Sequence, residues 1–209
     1  MDKNQVTEYG HHHEHVHSEH HHDHSGHVTP EILAQLEDKS DAAKQGKIDK
    51  IIGHTTEPQN DPDLKYKKGI GYYYLGKFEE CMREEAECYP SFDDEMGVAA
   101  IYWHTVAAQR AGKEPVLLNE KYHYGMDVGH HTAYNKALAT AKGILPLESA
   151  LKMLSFEHRP LEYSIFAYGV ACYLQSIGKK KEAEDMLQKI IADDRFWVTY
   201  AYLAAWNER

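Results

Sequence analysis

Histidine is the residue type in this sequence best suited to chemistry. Ten of the sixteen histidines crowd into the first 27 positions: His11, His12, His13, His15, His17, His20, His21, His22, His24 and His27. Glu14, Glu19 and Asp23 are interleaved with them. Neutral imidazole is the commonest side-chain metal ligand, and most of these rings are neutral at pH 7. His11, His13, His15 and His17 alternate, so an extended chain shows all four on one side. The nearby carboxylates add oxygen ligands or orient the rings. Such a set suits Zn²⁺, Ni²⁺ or Cu²⁺. On this reading the folded body requires no cofactor, and Zn or Ni sits on the histidine-rich segment alone. Two plainer readings stand beside it: a solubilising tail, and a purification tag whose histidines are not six in a row.

A second constellation runs from Glu120 to His131, EKYHYGMDVGHH. Glu120-x-x-His123 has the spacing with which one helix of a di-iron carboxylate bundle points two ligands inward. Such a site needs a second pair and two further glutamates, and no second pair stands outside the N-terminal segment. Asp127, His130 and His131 join it only if the glycine-broken loop folds back. The plainer reading is polar groups between helices. His104, beside Trp103, reads as a packed core or groove residue, and His158 as a turn residue near Pro160. No GxSxG elbow or phosphate-cradling glycine loop is present. An enzyme is not expected.

These residues depend on the elements that hold them. The 209 residues suffice for one domain of moderate size with a tail. A net charge of −10 argues against nucleic acid or an anionic membrane as partner. It fits a basic or amphipathic partner, or simple solubility. Cys81, Cys88 and Cys172 form no CxxC pair and fall on the inward faces of helices, which fits free thiols in a reducing compartment. The N-terminus lacks the pattern of a signal peptide, and no apolar run is long enough for a membrane helix. A cytoplasmic location is expected.

Residues 1–28 are low in complexity and are expected to be disordered. Residues 29–60 read as a helical lead-in and 61–209 as a helical-repeat body. Thr29-Pro30-Glu31 opens a helix predicted to run to Gly46, followed by a short second helix over 47–53 and a loop over 54–62. Residues 63–89 form a hairpin turning at Gly76. The acidic cluster Glu79, Glu80, Glu84, Glu85 and Glu87 reads as a solvated face. Another helix, Met96 to Ala111, turns at Gly112. Shorter helices are predicted over 133–141 and 147–154, and a strongly apolar one closes the chain over 196–206. The clearest hairpin spans 165–191: Phe166, Val170, Tyr173, Leu174 and Ile177 line its first arm, Gly178 turns it, and Ala183, Leu187, Ile190 and Ile191 line the second.

Ala171, Leu174, Gly178, Ala183, Leu187 and Ile190 stand at the spacings of the tetratricopeptide (TPR) repeat, which this stretch resembles. Gly69, Tyr72, Gly76, Phe78 and Cys81 match it again, although Glu85 stands where the family has a bulky apolar residue. The resemblance implies an all-α, right-handed α-solenoid of TPR-like hairpins. It also implies a concave groove lined by the first helix of each pair, binding an unidentified protein or peptide. The groove residues it suggests are Tyr66, Tyr73, Trp103, His104 and Tyr168, which makes the chain an interaction adaptor. The alternative is a protein that handles or stores Zn or Ni, whose helical body docks a client. A third is a metal-dependent enzyme built on Glu120 and His123. Tyr202 and Trp206 on the last helix are further expected to offer a homodimer contact.

Overall fold

A computed structural model describes residues 28–209. Eleven α-helices joined by turns make up the described residues, and no strand occurs among them. Five of these helices begin where a side-chain oxygen takes up an amide that the helix itself cannot satisfy. Thr29 Oγ1 accepts from the Ile32 amide at 3.3 Å and Pro30 fills the first position, so α1 runs Pro30–Glu37. It stops earlier than predicted. Ser40 Oγ accepts from the Ala43 amide at 3.1 Å and starts a separate helix, α2, Asp41–Gly53. Gly46, predicted to end a helix, lies inside α2. The Ser40 cap outweighs it because a single glycine costs a helix only about 1 kcal/mol.

The remaining helices are α3 (Pro62–Tyr74), α4 (Phe78–Cys88), α5 (Asp94–Ala111), α6 (Val116–Glu120), α7 (Thr132–Ala141), α8 (Leu147–Phe156), α9 (Pro160–Ser176), α10 (Lys180–Ala192) and α11 (Tyr200–Asn207). The last is shorter than its apolar sequence predicts. Thr199 Oγ1 caps it by accepting from the Tyr202 amide, and 194–196 form a separate 3₁₀ turn.

Four helices end in one way. Gly76, Gly112, Gly143 and Gly178 have φ of 71°, 63°, 79° and 84°. Each glycine amide bonds back three residues, and the following amide bonds back five: Lys77 to Tyr72, Lys113 to Ala108, Ile144 to Ala139 and Lys179 to Leu174, all at 2.9 Å. This is a glycine-dependent helix stop, because a side chain at that left-handed position meets its own backbone. It closes α3, α5, α7 and α9, and each is followed by a shorter or more exposed helix.

The core lies among those four. α9 packs against α5, α7, α8, α10 and α11, and α3 against α2, α4, α5 and α11. Gly169 permits a close approach of α9 to α7 and α5. A Cβ there would stand 2.6 Å from Ala137 Cβ on α7 and 2.8 Å from Tyr102 Cε2 on α5. Tyrosines carry much of the packing and also satisfy their own hydroxyls. Tyr102 donates to the Ile165 carbonyl at 2.8 Å, Tyr74 donates to the Tyr200 carbonyl at 3.0 Å, and the Tyr73 and Tyr168 hydroxyls bond at 2.6 Å. The hairpins recognised near the two ends of the body therefore meet directly, whereas a linear stack joins each repeat only to its neighbours.

Candidate functional site

The five aromatic and polar residues expected to line a groove are all interior. Tyr66, Tyr73, Trp103, His104 and Tyr168 expose between 0% and 4% of their surface. They hold the first helices together and present nothing to a partner in this conformation. The Tyr73 ring packs edge-on to Trp103, with centroids 5.2 Å apart, and reaches Tyr168 across the core. The Tyr168 hydroxyl also donates to the Glu208 carboxylate, which Arg110 holds from α5. Burial pushes the His104 imidazole down to about 4, so it is neutral at pH 7. The groove expectation for all five rests on their being aromatic or polar residues on first helices. Residue type and helix position carry no information on whether a side chain meets a groove or another helix. Tyr202 and Trp206 on α11 are likewise buried within the chain, so the aromatic face expected to form a dimer contact is already covered.

The Glu120–His131 segment does not assemble a site. α6 ends at Glu120, so His123 is not on the same helix and the one-face geometry is lost. Glu120, His123, Asp127 and His130 are exposed. The loop is tied instead to the first turn of α5: Asp127 donates its amide to Asp94 Oδ2 at 3.1 Å and His130 its amide to Glu95 Oε1 at 2.8 Å. His131 is buried with Nδ1 on the Glu95 carbonyl. Among the described residues, no group of three or more His, Cys, Asp or Glu is placed to hold a metal. The ten N-terminal histidines lie outside the described residues.

The acidic run on α4 divides. Glu79 and Glu87 are exposed as expected, while Glu84 and Glu85 are buried. Cys81, Cys88 and Cys172 are free and buried.

One concave surface is built of functional side chains that local sequence patterns did not bring together. A cleft of about 430 Å³ opens between α1, α2, α3 and the start of α11. The helical spacing of α2 places Lys47 and Lys50 along one wall with Gly46 beside them, α3 adds Lys67, and His54 lies at the foot of α2. Trp197 and Tyr200 close the back. Lys47 Nζ donates to Gln35 Oε1 at 3.1 Å. Lys50 and Lys67 have no ion-pair partner among the described residues. The His54 imidazole is pushed down by burial first and then by Lys67, against Glu57, with Lys50 adding a smaller push. The single carboxylate of the lining, Asp38, accepts from the Ser40 amide at 3.0 Å, a bond that holds its carboxyl below the usual range. In a chain of net charge −10, the cleft carries three lysines against one aspartate. That excess of positive charge favours a negatively charged group.

The lining comes from residues 35–67 and 197–200, far apart in the sequence. The sequence signal that could have found it is the lysine pair at i and i+3 on α2, beside a helical glycine that leaves room.

Comparison with protein-family models, with curated proteins and with solved structures gave no match at significant similarity. Among the described residues, no helix is long and apolar enough to cross a membrane.

Proposed function

We propose that the chain is an interaction scaffold built of TPR-type helical hairpins, and that it engages an acidic segment of a partner protein in the basic cleft. The observation that supports the hairpin reading is the recurrence of one helix stop. From Gly76 to Gly112, Gly143 and Gly178 the steps are 36, 31 and 35 residues. They scatter around the period of about 34 characteristic of TPR arrays. Four pairs follow: α3 with α4, α5 with α6, α7 with α8, and α9 with α10. They fold back on one another, so the first and last pairs share a core through Tyr73 and Tyr168.

With the first-helix aromatics enclosed in that core, the cleft is the recognition surface this reading uses. Its charge selects an acidic segment, the reverse of what the whole-chain charge suggests, because a partner feels the field at the contact rather than the sum over the chain. A labelled Glu/Asp-rich peptide is expected to bind with an affinity that falls as salt rises. Binding is expected to be lost in the Lys50→Glu, Lys67→Glu double variant. Equal binding of a neutral peptide, or full retention in the variant, refutes the reading.

A second reading concerns the ten N-terminal histidines. They provide for Zn or Ni capture, which gives the scaffold a metal-handling role. Metal titration of the full chain with a competing chelator tests it.

A further inference from the structure

We propose that the anionic group held in the cleft is the dianion of a phosphate monoester, with an apolar or aromatic neighbour seated against Trp197 and Tyr200. This rests on the reading of the cleft as the site for an acidic partner segment, and it names the chemistry of that acid.

Three features favour phosphate over carboxylate. The first is donor type. The cleft contains no arginine, the residue whose planar fork matches the two oxygens of a carboxylate. It contains three lysines, each a point charge with several rotatable donors, and these suit the three terminal oxygens of a tetrahedral phosphate. The second is charge. Lys50 and Lys67 bring two positive charges with no ion-pair partner among the described residues, and the Asp38 carboxylate is already engaged by the Ser40 amide. A phosphomonoester brings about 1.5 to 2 negative charges at pH 7, whereas a carboxylate brings one. Lys39, Lys65 and Lys113 each hold a carboxylate, those of Asp194, Glu87 and Glu79, whereas Lys50 and Lys67 hold none among the described residues.

The third feature is size and wall. A volume of about 430 Å³ admits a phosphorylated side chain or a small phosphorylated molecule and excludes a folded domain. Trp197 is almost wholly buried, its indole N–H has no hydrogen-bond partner, and its ring forms part of the wall. Gly46 leaves the α2 side open: a Cβ there would meet nothing within 4 Å.

The test uses the full chain at pH 7.5 with EDTA, which removes metal able to bridge phosphate to the histidines. The probes are two fluorescein-labelled peptides, identical except for phosphoserine or glutamate at the central position, and the readout is fluorescence anisotropy. The phosphoserine peptide is expected to bind about tenfold or more tightly, the ratio that one further charge-assisted hydrogen bond supplies. Lys50→Glu with Lys67→Glu is expected to abolish that binding. Gly46→Leu, which fills the cleft and keeps every charge, is expected to do the same while far-UV circular dichroism stays unchanged. Competition separates the two sources of the group. If free O-phosphoserine displaces the peptide at equal concentration, the ligand is a small phosphorylated molecule; if only the phosphopeptide competes, it is a phosphorylated partner. Either result supports the phosphate assignment. Equal affinity for the two peptides overturns it and leaves the acidic-segment reading standing. Failure of both peptides to bind removes both readings, and wild-type affinity in the lysine variant places the binding elsewhere and overturns this one.

Discussion

Glu85 sits at full burial on α4 where its neighbours offer little to a charge, and the effect on stability can be worked out. Its Oε1 has no hydrogen-bond partner and lies against α3 so closely that a Cβ at Gly69 would be 2.3 Å away. The Cys88 thiol stands 3.8 Å from Oε2. Burial first, with Glu84 adding to it against the Cys88 hydrogen bond, holds the carboxyl well above its ordinary 4.5. The folded chain therefore keeps a proton that the unfolded chain releases above 4.5. The stabilisation is fully present below 4.5 and is lost as pH climbs towards the folded value, at about 1.4 kcal/mol per pH unit. His104 runs the other way. Its folded value is about 4 against 6.5 unfolded, so stability is lost as pH falls from 6.5 to 4, about 3 kcal/mol in all. Between 4.5 and 6.5 the two slopes cancel, and above 6.5 only the Glu85 slope remains.

Glu85→Gln removes one slope and exposes the other. Urea unfolding followed by circular dichroism at pH 5, 6, 7 and 8 is expected to show the variant gaining on the wild type. The gain is about 1.4 kcal/mol per pH unit while the native carboxyl stays protonated. Parallel curves for the two proteins would mean that Glu85 is ionised in the fold, and the reasoning would fail.

Other outcomes follow from the same geometry. Gly178→Ala, at φ 84°, is expected to cost about 1 kcal/mol, whereas Gly46→Ala, inside α2 with open space around it, is expected to add about 0.5–1 kcal/mol; thermal melting of the pair checks the contrast. Cys81, Cys88 and Cys172 are expected to react with a thiol reagent at rates limited by unfolding, all three becoming available together in denaturant. Zn²⁺ is expected to bind the full chain and not a chain starting at Val28, with the melting temperature of the helical body unchanged by the metal.

Much of the fold was legible where a local rule acts alone. Thr29 with Pro30 marked a helix start, and Gly76, Gly112 and Gly178 marked stops, because a cap or a left-handed residue depends only on its nearest neighbours. Gly46 misled because a competing cap at Ser40 lay six residues upstream and decided the boundary. Glu85 stood out as a departure from the repeat pattern, yet its full burial depends on Gly69 from another helix. The binding surface was the least legible part. Tyr66, Tyr73, Trp103, His104 and Tyr168, expected to line a groove, are covered by other helices instead. The lysines of the cleft became a site only when Trp197 and Tyr200 came to stand behind them.

The clasp between α3 and α11 bears on how the chain is born. The Tyr74 hydroxyl bonds a carbonyl 126 residues ahead, and the Tyr74 carbonyl accepts from Asn207, 133 residues ahead. Ribosomes add about 5–20 residues per second, so α3 waits on the order of ten seconds for the segment that covers it. Through that interval Tyr66, Tyr73 and Tyr74 stand on a nascent hairpin with part of their interior missing. A stall late in translation leaves that aromatic face open to holding chaperones, and a message cut short before α11 yields a product fit for degradation.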